Sequence, residues 1–388
     1  MFSLFPSPGD HVVVRPLTTD EWGQLEAMIE TDPAVFLYAL EHLEHFGLPA
    51  PSTLNLRRNP FGFMGIFAPE AATPCANSGF TADAGGGGIP EVTAQVRRKV
   101  ARGLREVAVQ LAPRAAQLTA PNRPSPVADP GTEVLDVVPA QRAHTESPLQ
   151  LVGAFWLGSN CVPLTIPACA RGAVAAVIAR HRRSVASIFG SAEQVLPLWE
   201  LLAPRMGRPL SVRPNQPLLT LDLSQDLADL ADETLERPGL SAPPLSSGGA
   251  RWARTSDRRS LLKASVAMFV EEVGYDPMTR DAAGYARRVE EYIRTGRSVV
   301  ATNRDGVVVF KADLGLAHES YCQIQGVWLH PAYRGRGLSK TLLAQSFDLI
   351  RTRFPQISLY VNDYNHTARA LYEALGMRQH DTFSTILF

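Results

Sequence analysis

Apolar and polar positions along the chain fall into two runs with the same order of elements. The first opens with a strand at 11–15, closed by Pro16. Thr18-Thr-Asp-Glu21 has the form of a capping box, and Leu25, Met28 and Ile29 follow at helical spacing. A second helix is predicted from Pro33, suited to a first turn, to Gly47, suited to a stop. A short apolar strand at 61–67 follows, then a hairpin of strands at 149–157 and 161–166 around the turn Gly158-Ser-Asn160. Helix (168–181), strand (184–189), helix (192–202) and strand (218–223) complete the run.

The second run begins at Arg251. It has a strand at 251–254, a polar cap at 255–257, helices at 261–273 and 282–294, and strands at 298–302 and 307–311 joined by Asn303-Arg-Asp-Gly306. A strand ending at Leu329, a helix to Phe354-Pro355, a strand at 357–361, a helix at 367–375 stopped by Gly376, and a strand at 382–387 close it. Shared element order predicts an internal duplication in an α/β (α+β) protein.

Two stretches break the pattern. Residues 69–148 contain Gly85 to Gly88, much Ala, Pro and Thr, and little large apolar content, so they are expected to be a largely disordered insertion. Within them, 91–118 has the spacing of a basic, solvated helix carrying Arg97, Arg98, Lys99, Arg102 and Arg105. Residues 236–250 have linker composition. The expected division is therefore 1–235, a linker at 236–250, and 251–388.

Composition narrows the function. The chain has 388 residues, 45% hydrophobic and 20% charged, with 38 Lys plus Arg against 38 Asp plus Glu. This balance favours neither nucleic acid nor a membrane surface as partner. Cys75, Cys161, Cys169 and Cys322 lack metal or redox spacing, so no metal is expected and a reduced, cytoplasmic setting fits. No signal peptide and no membrane span are read from the sequence.

The chemistry concentrates at 323–340. An apolar strand ends at Leu329, His330-Pro331 stops it, and Leu338, Leu342, Leu343, Phe347 and Ile350 recur at helical spacing. Arg334-Gly335-Arg336-Gly337 therefore sits where a helix begins. Unpaired backbone N–H groups and the positive end of the helix dipole favour an anion there. Gly326 inside the strand predicts a bulge.

Residues 250–388 resemble the GNAT superfamily of acyl-CoA-dependent N-acetyltransferases. The family's pyrophosphate loop, Arg/Gln-x-x-Gly-x-Gly/Ala, is matched by Arg334, Gly337 and Ser339, with Ser replacing the usual last residue. Its later Asn-x-x-Ala-x-x-x-Tyr motif is matched by Asn365, Ala368 and Tyr372. The resemblance implies two tandem GNAT-like domains, each a mixed, mostly antiparallel sheet flanked by helices, the N-terminal copy degenerate. It implies acetyl-CoA as co-substrate and an unidentified primary amine as acceptor. Gly335, Arg336, Gly337, Leu338, Ser339 and Lys340, with Arg334, would hold the pyrophosphate. Val327, Trp328, Leu329 and Asn365 would bond the pantetheine arm. Tyr372 would be the acid for the leaving thiolate, and Glu319, just before the strand, the base. Alternatives are an acetyltransferase of the mycothiol synthase type and a non-catalytic acyl-CoA-binding regulator.

Other patterns have plainer readings. His42 and His45, three apart on a helix, lack a third metal ligand and read as an exposed or capping pair. The arginines at 180–183 and 251–259 read as solvated charges or interdomain contacts. Ala170-Arg-Gly-Ala-Val174 occupies the loop position in the first run but lacks the second glycine, so one coenzyme A site is expected.

Overall fold

A computed structural model describes residues 12–51, 62–69, 149–221, 226–227, 244–246 and 249–388. The insertion and its basic helix at 91–118 lie outside these residues, as does most of the linker. The first run folds as β1 (Val13–Pro16), α1 (Trp22–Ile29), α2 (Pro33–Phe46), β2 (Gly62–Pro69), β3 (Leu149–Leu157), β4 (Asn160–Thr165), α3 (Arg171–Arg180), β5 (Ser187–Ser191), α4 (Ala192–Met206) and β6 (Ser211–Leu221). The second repeats that order: β7 (Arg251–Trp252), α5 (Arg258–Val273), α6 (Met278–Arg294), β8 (Ser298–Thr302), β9 (Val308–His318), β10 (Tyr321–Leu329), α7 (Leu338–Arg351), β11 (Gln356–Tyr360), α8 (His366–Ala374) and β12 (Met377–Leu387).

The repeat extends to side chains. In the first half, Arg15 pairs with Glu21 at 2.7 Å while the Thr18 N–H donates to Glu21 at 2.8 Å. In the second, Arg251 makes a two-pronged contact with Asp257 at 2.7 and 2.9 Å, and the Arg254 N–H donates to Asp257 at 2.7 Å. In both, an arginine on the first strand is tied to an acid six residues on, which closes the helix start. Burial alone would raise the pKa of each acid. The arginine and backbone donors outweigh it and hold both below the usual range.

Two separate sheets were expected; the strands form one. Its order is β1-β2-β3-β4-β5-β12-β6-β11-β10-β9-β8-β7. Interchanging the halves and reversing the list returns the same list, so the order has two-fold pseudo-symmetry. The last strand of each half crosses over. β6 lies between β11 and β12, and β12 between β5 and β6. Only β4–β5 and β10–β11 run parallel. Leu219 and Leu221 of β6 are buried in the core of the second half, and Ile386 of β12 in that of the first. Helices cover both faces of the sheet in each half.

Three strands run longer than the sequence pattern predicted, β6 among them, which starts at Ser211 and not at 218. β9 continues past Lys311 to His318 because it stays paired with β10 as far as Tyr321–His318, with Gln325 of β10 lying over Gly315. β12 starts at Met377, where exposed polar residues pair with β6 and hide the alternation. Polar contacts also join the halves. Glu41 of α2 accepts from Arg297 at 2.7 Å and from the Ala317 N–H at 3.1 Å, Glu44 meets His318 at 2.8 Å, and Asp32 meets His380 at 2.8 Å.

Candidate active site

The two central strands of the second half part to make a slot. β10 and β11 share three rungs, Tyr321–Gln356, Cys322–Ile357 and Gln323–Ser358. Beyond them β11 stays paired only with β6 on its other edge, while the register of β10 on β9 shifts on either side of Gln325. Gly326 has φ +58°, and a Cβ there would lie 2.9 Å from Met268 Sδ and 3.0 Å from Lys311 Nζ. The bulge expected at Gly326 is therefore present, and only glycine fits it.

A buried lysine fixes this bulge. Lys311 is wholly buried, and its ammonium donates to the Gly326 carbonyl at 2.9 Å and pairs with Asp313 at 2.5 Å. Ser298 in turn donates to Asp313 at 2.7 Å. A buried ammonium is tolerable only with partners of this kind. Removing Asp313 would leave the charge unpaired beneath the slot.

The loop after β10 is built to leave donors open. His330 Nδ1 accepts from the Ala332 N–H at 3.2 Å, and Pro331–Tyr333 makes one tight turn. Gly335 and Gly337 then take φ +75° and +77°, and α7 starts at the buried Leu338. The N–H groups of Gly335, Gly337, Leu338 and Ser339 donate to no other described residue. This donor set at a helix start fits a diphosphate. Arg334, expected to add charge there, is occupied otherwise. It donates to the Leu329 carbonyl at 2.8 Å and to Glu271 at 2.6 Å. Glu271 also accepts from the Trp328 indole at 3.1 Å, so Arg334 braces the loop against the end of α5. Arg336 and Lys340 stand half-buried on the loop and first turn of α7.

Across the slot, Asn365 caps α8 by accepting from the Ala368 N–H at 3.2 Å. The segment before it is strapped to β6 of the other half: Gln216 donates to Asn362 at 2.9 Å and Asn215 to Asp363 at 3.2 Å. Tyr372 lies one to two turns into α8, largely buried. Burial raises its pKa, and the negative charge of Glu272 raises it further, so the phenol is protonated at neutral pH.

Glu272 is the group that sequence reasoning missed. It follows Met268 by one turn on α5, and Met268 lies over the bulge, so helical spacing carries Glu272 to the slot. It retains solvent access and accepts no hydrogen bond from a described residue. Surrounding protein raises its pKa, offset only in part by Lys311 and Arg213, with Glu271 adding to the rise. Its charge also acts on Tyr360 and Tyr285. The signal was present: Leu261, Ser265, Met268 and Glu272 share one helical stripe, so an acid ends the face that packs on the sheet. Glu319, the expected base, instead sits at the tip of the β9–β10 turn with φ +48°. At about 3.3 Å per residue it is roughly 20 Å along the strand from the bulge, at the closed end of the slot.

Among the described residues no group of His, Cys, Asp and Glu is placed to hold a metal ion. His42 stacks on Tyr38 at 3.8 Å and meets Trp156 edge-on at 4.8 Å, and burial pushes its pKa down to about 4. It is thus an aromatic-cluster residue, not an exposed one. Among the described residues no helix is long and apolar enough to cross a membrane.

Residues 268–377 match the family model described as the acetyltransferase (GNAT) family. The second half is a GNAT domain. The family to which this stretch is matched implies acyl transfer from an acyl-coenzyme A. Residues 143–235 match a second model, a domain of unknown function, DUF4081. No curated protein matches the chain. Solved structures similar to it include a GNAT-family acetyltransferase from Colwellia psychrerythraea (12% identity, 62% of this chain and 82% of that one, TM-score 0.39). Another is a tandem GNAT protein from the clavulanic acid biosynthesis pathway (17% identity, 63% and 80%, TM-score 0.40). A third is a GCN5-related N-acetyltransferase from Sphaerobacter thermophilus (17% identity, 58% and 71%, TM-score 0.41).

Proposed function

We propose that the GNAT domain transfers an acetyl group from acetyl-CoA to a primary amine by direct attack on the thioester. The open N–H groups at Gly335, Gly337, Leu338 and Ser339, with Arg336 and Lys340, hold the diphosphate. The backbone of Val327, Trp328 and Leu329 and the side chain of Asn365 line the parted strands along the pantetheine arm. Arg334 keeps loop and strand in register through Glu271. Glu272, in place of Glu319, takes the proton from the attacking amine, directly or through one water. Tyr372 gives a proton to the departing thiolate. The observation that carries this reading is the pair of groups at one slot: an unbonded carboxylate, and a phenol whose proton is retained first by burial and then by that carboxylate's charge.

The test is transfer of label from acetyl-CoA to amines supplied as a small-molecule extract, with Tyr372→Phe as comparison. The variant is expected to lose on the order of 10²- to 10⁴-fold in kcat with acetyl-CoA affinity unchanged. Tight acetyl-CoA binding with no transfer to any amine would replace this reading with a non-catalytic binding protein.

A further inference from the structure

The N-terminal half brings to the open end of the slot a cation, Arg213, that no described residue pairs with. Arg213 lies near the start of β6, which runs antiparallel to β11. Past the last rung, Tyr360–Leu218, the strands stay linked by the Val361 N–H to Pro217 (3.1 Å) and the Asp363 N–H to Asn215 (3.2 Å). Arg213 follows two residues further, at the end of the sheet where β10 and β11 part. The polar neighbours on β6 are committed. Asn215 bonds Asp363, while Gln216 bonds Asn362 and accepts from Thr385 at 2.6 Å. Arg213 is half-buried and makes no hydrogen bond or ion pair with a described residue. Its charge nevertheless acts on Glu272 and Tyr360, both in the other half.

The surrounding charges indicate what would use it. Lys311 is spent on Asp313 and the Gly326 carbonyl, and Arg288 of α6 donates to the Tyr292 hydroxyl at 3.1 Å. The charge of Arg213 acts on Glu272, yet the two form no ion pair. Direct contact would quench the base. Kept apart, they present a carboxylate and a guanidinium fork to whatever lies between them. A guanidinium with unused donors matches the planar oxygens of a carboxylate or phosphate.

We propose that the acceptor is a zwitterion: an amine that also carries a carboxylate or phosphate, its nitrogen toward Glu272 and its anion on Arg213. The N-terminal half thereby supplies part of the acceptor site. This rests on the acetyl-transfer reading above and adds the acceptor's class to it.

The experiment incubates the full-length protein with radiolabelled acetyl-CoA and a small-molecule extract, then separates labelled products by charge. Acetylation removes the amine's charge and leaves the anion, so label is expected in a low-molecular-weight anionic product. Phosphatase treatment distinguishes the source: loss of charge marks a phosphate, retention a carboxylate. Arg213→Gln is expected to raise KM for that acceptor tenfold or more with a smaller change in kcat and unchanged acetyl-CoA affinity, and Arg213→Lys to recover part of the loss. Should Arg213→Gln not fold, the product's charge and the lysine variant still decide. Label in a neutral, cationic or macromolecular product overturns the proposal, as does an Arg213→Gln enzyme with wild-type KM. Acetyl-CoA binding without label in any product sinks the acetyl-transfer reading, and this one with it.

Discussion

The two halves contain the same slot, and among the described residues only the second has a left-handed glycine loop beside it. In the first half β4 and β5 run parallel for two rungs, Asn160–Ser187 and Cys161–Ile188, and then part as β10 and β11 do. There the likeness ends. Pro163 sits on β4 itself, and where β10 has its left-handed glycine β4 has none. The N–H of Ile166, just beyond β4, is taken by the Gln194 side chain at 2.9 Å, reaching in from α4. α3 is entered through Ala168–Ala170, without a left-handed glycine to turn its first N–H groups outward. Topology alone thus makes a slot. A bulge held by a buried lysine and two left-handed glycines give the second slot the donors that a diphosphate would need.

The sharpest way to break this contrast is to remove the chemistry from the second half. Glu272→Gln is expected to lower kcat/KM by about 10²- to 10⁴-fold. It also tests the pH profile. Glu272 acts deprotonated and its pKa is raised, so activity should fall with decreasing pH while still above the ordinary glutamate range. The variant's residual activity should lack that limb. Lys311, Arg213, Glu271, Tyr360, Tyr372 and Tyr285 all act electrostatically with this carboxylate, so the limb belongs to the cluster. A wild-type limb in Glu272→Gln would remove Glu272 from the role.

Binding comes next. Gly337→Val forces a β-branched residue into φ +77° and should weaken acetyl-CoA at least tenfold. Calorimetry on the unmodified chain should give one acetyl-CoA per chain. Two sites would mean that Gln194 does not close the first slot.

Smallest are the paired helix starts, where the halves should differ in degree only. Asp257→Asn is expected to cost about 1–3 kcal/mol in chemical denaturation, because its partner Arg251 is largely covered. Glu21→Gln should cost less, since Arg15 is 42% exposed and its pairing is screened. Both acids have folded-state pKa values below their unfolded ones. Their contribution is therefore present above the unfolded pKa and lost as pH falls through the folded one. Each variant should flatten stability over that acidic window, and an unchanged slope would remove the pair from the account.

Much of this was legible in the residues. The duplicated order, the capping box at Thr18, the bulge at Gly326 and the glycine loop all follow from local pattern, because each is fixed by neighbours within a few positions. The base was not. Glu272 reaches the slot only because α5 crosses the bulge at Met268, and no local rule distinguishes it from Glu319, which merely lies nearer the loop in sequence. Arg334 reads as a free cation until Glu271 is placed beside it. The single sheet was equally hidden, since it depends on which half each last strand joins, and β6 and β12 read alike as apolar strands.

That exchange of last strands sets an order of events for the newly made chain. Domains ordinarily fold as they are synthesised, N-terminal first. Here β5 has β4 on one edge and its other edge open until Met377–Leu387 arrives, and β11 cannot be closed by strands of its own half alone. Neither slot takes its final shape until almost all of the described chain has been made, so the halves must mature together. Until then each carries an open strand edge that a second chain could occupy.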